Sequence, residues 1–140
     1  MKMKKVQLPY IPKIWASILY LGLFVVVFLL FWGRKSEAVQ WYFLLEICPD
    51  FYSHISNFAI SFMLMLVGGY MGVLRTGRLK SSVWIFIFLI FANLIYEFFI
   101  PFLNTPDPID AWFGIVGTFF AMIYLVCFQK WGILPNPILK

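Results

Sequence analysis

Four apolar runs, at residues 14–32, 56–74, 83–103 and 109–128, constrain this chain more than any other feature. Each has roughly 19–21 residues, and a helix rising about 1.5 Å per residue then crosses a hydrocarbon core of about 30 Å. Inside lipid a backbone must satisfy its own hydrogen bonds, which leaves a helix for each run. Composition agrees: 63% of the 140 residues are hydrophobic, whereas soluble domains are about half apolar. The sequence predicts an all-α integral membrane four-helix bundle, with residues 1–140 as a single transmembrane domain.

Charge sets the expected orientation. Of the 11 Lys and Arg residues, only Arg34 and Lys35 fall on one side of these spans. Lys2, Lys4, Lys5, Lys13, Arg75, Arg78, Lys80, Lys130 and Lys140 fall on the other. Cationic loops stay in the cytoplasm, so both termini are expected there, in a multi-pass protein of the cell membrane. The first run follows several lysines and is read as a signal anchor retained as a helix. The acids Glu37, Glu46, Asp50, Glu97, Asp107 and Asp110 gather toward the outer side, whose acidic mouth should attract metal ions or cationic groups. The net charge of +5 then reports topology. No basic aromatic platform or nucleic-acid motif is present, so no nucleic-acid partner is expected. Cys48 and Cys127 fall at opposite ends of the bundle, beyond the Cα separation of about 7 Å that a disulfide allows.

The connections carry some information. Residues 37–50 include Trp41, Tyr42, Phe43, Leu44 and Leu45 and stop at Pro49. They read as a short helix in the outer interface, or as a lid. The lead-in at residues 2–13 should lie along the anionic inner leaflet. The tail at residues 131–140, with Pro135 and Pro137, should be extended.

Glu97 stands inside the third run. A charge at mid-membrane costs about 2.5–3.5 kcal/mol on insertion scales, so such residues face other helices and are functional by default. Asn93, four residues earlier, shares its face. Pro101 removes the helical hydrogen bond to the Glu97 carbonyl. In the second run His54, Asn57, Ser61, Met65, Gly68 and Gly72 form one stripe, polar at its outer end and small at its inner end. Gly68 and Gly72 make a G-x-x-x-G pair that permits close helix approach. The fourth run opens with Asp107 as N-cap and Pro108 at the first helical position. Asp110, Gly114, Gly117 and Ala121 then recur on one face as a small-residue seam. Three helices thus aim polar groups inward at the outer end: His54 and Asn57, Asn93 and Glu97, Asp107 and Asp110. Each also has a structural use, in capping, at the water interface or in an interhelical hydrogen bond.

The pattern resembles the VanZ-like membrane proteins. Its elements are Asp50 with His54, then Glu97, then Asp107 with Asp110, then Gly114 and Gly117. The resemblance covers about half the chain, roughly residues 50–121. It departs from the family where Gly114 stands in place of a common Asn, and where the usual Gln and Arg between the Glu and the first Asp are missing. It implies an inner-membrane protein of the cell envelope, linked in some members to glycopeptide-antibiotic tolerance. It implies no reaction.

Three functions compete. In the first, an outward polar pocket binds a divalent cation, or does acid–base work on a lipid-linked or peptide envelope ligand. His54, Glu97 and Asp110 are the candidate catalytic and metal-ligating residues, and Asp50, Asn57, Asn93 and Asp107 the candidate ligand-binding ones. Oxygen ligands favour Mg²⁺ or Ca²⁺, and the imidazole admits Zn²⁺ or Mn²⁺. In the second, several copies form a cation channel or a membrane-disrupting effector. In the third, the chain is an accessory subunit docked on a larger membrane partner through Gly68/Gly72 and Gly117/Ala121. Soluble catalytic templates are absent, as are the inverted repeats of secondary transporters.

Overall fold

The computed structural model describes residues 8–99 and 107–139. Five helices follow a short strand: α1 (Ile14–Trp32), α2 (Tyr42–Ile47), α3 (Phe51–Thr76), α4 (Lys80–Phe99) and α5 (Pro108–Cys127). The strand β1 (Tyr10–Pro12) pairs antiparallel with β2 (Ile133–Pro135) near the other terminus. Four helices are long and apolar enough to cross a membrane: α1, α3, α4, and α5 with its extension to Gly132. The chain is therefore an integral membrane four-helix bundle, with α2 as the short helix of the loop after α1.

The helices are longer or shifted where polar residues broke the apolar runs. α3 starts at Phe51 rather than at residue 56, because Ser53, His54, Ser56 and Asn57 lower local hydropathy without opposing a helix. The Ser53 hydroxyl donates to the Asp50 carbonyl at 2.6 Å, closing that first turn. α4 starts at Lys80 rather than at residue 83. Its Ser82 is fully buried and donates to the Gly69 carbonyl at 3.2 Å. The expected outer turn at residues 103–108 lies mostly outside the described residues, as do Pro101 and its effect on Glu97.

α3 and α5 form the central pair, each 44% buried across its span, while α1 and α4 are only 17% buried and lie on the flanks. In lipid the helices gain nothing from leaving water, so close van der Waals packing and polar contacts must hold them. Small residues make the closeness possible. A Cβ on Gly117 would collide with the Phe58 backbone carbonyl, so α5 rests directly on the backbone of α3. Gly69 admits Leu125 in the same way. Gly68 and Gly72 admit Ile85 and Ser81 of α4. The seams offered to a partner subunit are thus filled by the chain's own helices: Gly68/Gly72 by α4, and Gly117 by α3.

Both ends are tied. At the terminal end the Lys13 amide donates to the Gly132 carbonyl at 2.7 Å and the Asn136 amide to the Pro9 carbonyl at 2.8 Å. The end of the lead-in therefore pairs with the tail, a contact that helical periodicity does not encode. α5 runs on through a π turn, Phe128–Gly132, into β2. Tyr70 stacks between Tyr20 of α1 and Phe128, with centroids 4.4 Å away on each side. α3 ends at Gly77, whose φ of +67° suits only glycine without strain, and the Tyr10 ring lies against it. At the other end the Trp41 amide donates to the Tyr52 hydroxyl at 2.8 Å, and the Gln40 side chain donates to the Gly33 carbonyl at 2.7 Å. Arg34 donates to Ser56. Leu44 and Leu45 then pack on Leu30, Tyr52 and Ile55 while Tyr42 and Ile47 stay exposed, as a half-immersed helix requires.

Gly117→Val should lower bundle stability by about 1–3 kcal/mol, the usual cost of forcing extra atoms into a filled interface. Gly22→Ala should not, because a Cβ there meets nothing within 4 Å. Unfolding of the detergent-solubilised protein by SDS or heat reads the difference, and equal stability of the two variants would refute the α3–α5 contact.

Candidate functional site

The polar residues of α3, α4 and α5 meet at the end away from the termini. They form three tiers, each built across helices. Three side chains of α3, at His54, Asn57 and Ser61, supply one rail, spanning about 10 Å at 1.5 Å per residue.

The first tier is His54 with Asp107 and Asp110. His54 Nδ1 lies 2.8 Å from Asp110 Oδ1 and 3.6 Å from Asp107 Oδ2. An aspartate oxygen accepts, so Nδ1 carries the proton in this arrangement. The imidazole also sits against the Phe113 ring, with centroids 5.4 Å apart. Asp107 serves the helix at the same time: its Oδ1 accepts the Ile109 amide at 2.9 Å as the N-cap of α5, and Pro108 follows at the first helical position. Each of the three residues offers one ligand atom, and these atoms lie within 4.8 Å of one another.

The second tier holds Glu97, only 2% exposed. Asn57 Nδ2 donates to its Oε1 at 3.2 Å, and the Asp107 amide approaches its Oε2 at 3.4 Å. The buried carboxylate therefore sits by a side-chain amide of α3 and by the start of α5, where backbone N–H groups and the helix dipole favour negative charge. The third tier is Ser61 with Asn93. The Asn93 amide donates to Ser61 Oγ at 3.0 Å and to the Leu89 carbonyl at 2.8 Å. Its head fills the space left by the missing side chain of Gly114, so that glycine is a cradle for an amide as well as part of a packing seam.

The expected convergence of His54, Asn57, Asn93, Glu97, Asp107 and Asp110 is therefore what the structure shows. Two details differ. The group with metal-ligand spacing is His54, Asp107 and Asp110. Asp107 takes the place expected for Glu97, whose oxygens turn to Asn57 and the Asp107 backbone. Asp50 is exposed at the start of α3 and makes no side-chain cap there; its carbonyl accepts from Ser53. Phe113 against His54, and the Arg34–Ser56 bond nearby, had no signal in helical spacing, because each joins separate elements. One flank of the tiers is open. Asn57, Ser61, Asn93 and Tyr96 line a cleft of about 330 Å³ between α3 and α4, with Leu64 and Leu89 at its apolar side.

Fold and side chains together define a multi-pass membrane protein with a polar cluster at one end of its bundle. Comparison with family models, with curated proteins and with solved structures yields no match.

His54 and Asp110 should be energetically coupled. In a double-mutant cycle built from His54→Phe and Asp110→Asn, the pair should deviate from additivity by about 0.5–3 kcal/mol in unfolding free energy. Strict additivity would mean that the 2.8 Å contact contributes nothing.

Proposed function

We propose that this chain is an envelope-facing membrane protein whose outer end holds a divalent cation on His54, Asp107 and Asp110 and presents it to a lipid-linked ligand. The observation that carries the reading is the triad's spacing. Ligands about 2.0–2.2 Å from a zinc ion stand about 3.3–3.6 Å apart in a tetrahedron; the His54–Asp107 distance of 3.6 Å lies at that range and the His54–Asp110 distance of 2.8 Å just below it. One imidazole nitrogen and two carboxylate oxygens suit Zn²⁺ or Mn²⁺ better than the all-oxygen shells of Mg²⁺ or Ca²⁺. Three protein ligands leave a coordination position for a substrate oxygen or a water, as in catalytic rather than structural sites. A cation on Nδ1 would take the place of the His54–Asp110 hydrogen bond.

Glu97 acts from the second tier. Through the Asp107 amide it orients one carboxylate ligand, and its depth suits proton exchange with a bound ligand. The cleft along Asn57, Ser61 and Asn93 gives a lateral path from the acyl region, which favours a lipid-linked ligand over a soluble peptide. The VanZ-like arrangement of His54, Glu97, Asp107 and Asp110 supports the same envelope setting. The cation excess of the opposite end supports cytoplasmic termini.

Titration of the purified protein with Zn²⁺ or Mn²⁺ in calorimetry should reveal one site per chain. His54→Ala, Asp107→Asn and Asp110→Asn should each weaken it by at least about tenfold, while Glu97→Gln, altering only the support of a ligand, should weaken it less than these. Binding that ignores all three ligand substitutions would end the proposal. Orientation is tested separately by the two free cysteines. A membrane-impermeant maleimide applied to intact cells should label Cys48 and spare Cys127; the reverse pattern would invert the topology.

A further inference from the structure

The basic end of the bundle carries a cavity of about 510 Å³, lined by Tyr10, Thr76, Arg78, Lys80, Ser81 and Trp84. Topology alone explains why cations are here, but not why two of them share a concave site. The turn between α3 and α4 places them. Gly77 closes α3 in the left-handed region, the Arg78 amide donates to Thr76 Oγ1 at 3.2 Å, and α4 starts at Lys80. That turn places both side chains at the rim, where among the described residues neither head is hydrogen-bonded. Among the described residues neither forms a salt bridge. The wider reason is in the sequence: all six acids lie from Glu37 to Asp50 or with the His54 cluster, so this end has no carboxylate side chain to offer. Two cations on one concave wall suit an anionic group.

The surroundings bear on which kind of anion the site suits. Trp84, 64% exposed, forms one wall. From it the exposed Val83, Ile87 and Phe88 continue along α4, an apolar surface shaped for an acyl chain rather than for water. We infer that the cavity binds the phosphate of an anionic phospholipid headgroup, with Arg78 and Lys80 as its cationic partners and Trp84 against the glycerol region. Basic pockets of this kind between membrane helices hold anionic headgroups, at about 1 kcal/mol per cation. This site is independent of the His54 cluster, which lies at the other end.

The test is lipid retention. Protein released from nanodiscs of equal parts phosphatidylglycerol and phosphatidylcholine is weighed by native mass spectrometry. The unaltered chain should keep phosphatidylglycerol in preference to phosphatidylcholine. Arg78→Gln/Lys80→Gln should lose at least about tenfold of that preference, from about fivefold per cation. Arg75→Gln/Lys130→Gln, which removes equal charge from the same end but outside the cavity, should keep it. Should the first double variant fail to insert, Arg78→Gln alone is read the same way, with about a fivefold loss expected. No preference in the unaltered chain, or equal loss in both double variants, overturns the inference. Displacement of the lipid by millimolar inorganic phosphate overturns the lipid assignment in favour of a soluble anion.

Discussion

A carboxylate enclosed among membrane helices dictates much of this architecture. Glu97 is cut off from water, so its oxygens need donors that other helices must supply. Asn57 brings α3 to it and the start of α5 brings Asp107. Those contacts fix the rotation of three helices about their axes. Hydropathy alone could not do so, because most faces of α1 and α4 are equally content with lipid. Asn93 repeats the device one turn deeper, with Ser61 as its partner.

Close packing and polar pairing depend on one another here. The Asn93 head occupies the place a side chain at position 114 would take, and Gly117 lets α5 reach the backbone of α3. A wider bundle would separate Asn57 from Glu97, and interhelical hydrogen bonds of this sort are worth about 1 kcal/mol each in a membrane. They specify an arrangement more than they stabilise it. The apolar half, from Leu66 through Val73 against Leu125 and Phe128, is held mainly by contact, with the buried Ser82 and Tyr124 hydroxyls donating to the Gly69 and Ala16 carbonyls.

The molecule is electrically divided. Its acids share an end with the imidazole, and three of them, Glu97, Asp107 and Asp110, stand in the tiers of hydrogen bonds. Arg75, Arg78, Lys80 and Lys130 share the other end with a turn and a cavity. Within one end, like charges repel unless something intervenes. At the acidic end the interveners are the His54 ring, the Asn57 amide and the α5 terminus. At the basic end the described residues provide no carboxylate.

The four spans, the segregation of charge and the inward set of polar side chains were legible in the sequence, since each follows from hydropathy, charge and a 3.6-residue period. His54, Asn57, Glu97 and Asp110 could be placed on inward faces for that reason. Which of them touch was not legible. Periodicity orients a side chain on its own helix but carries nothing about the azimuth or height of the next one. So Asp107, capping α5, proved to be the carboxylate beside His54 with Asp110, and Glu97 proved to be the one behind it. The pairing of Tyr10–Pro12 with Ile133–Pro135 was equally hidden, because it joins opposite ends of the chain. So was the filling of the Gly68/Gly72 seam by α4. A small residue signals that something comes close, and only the packed helices decide what.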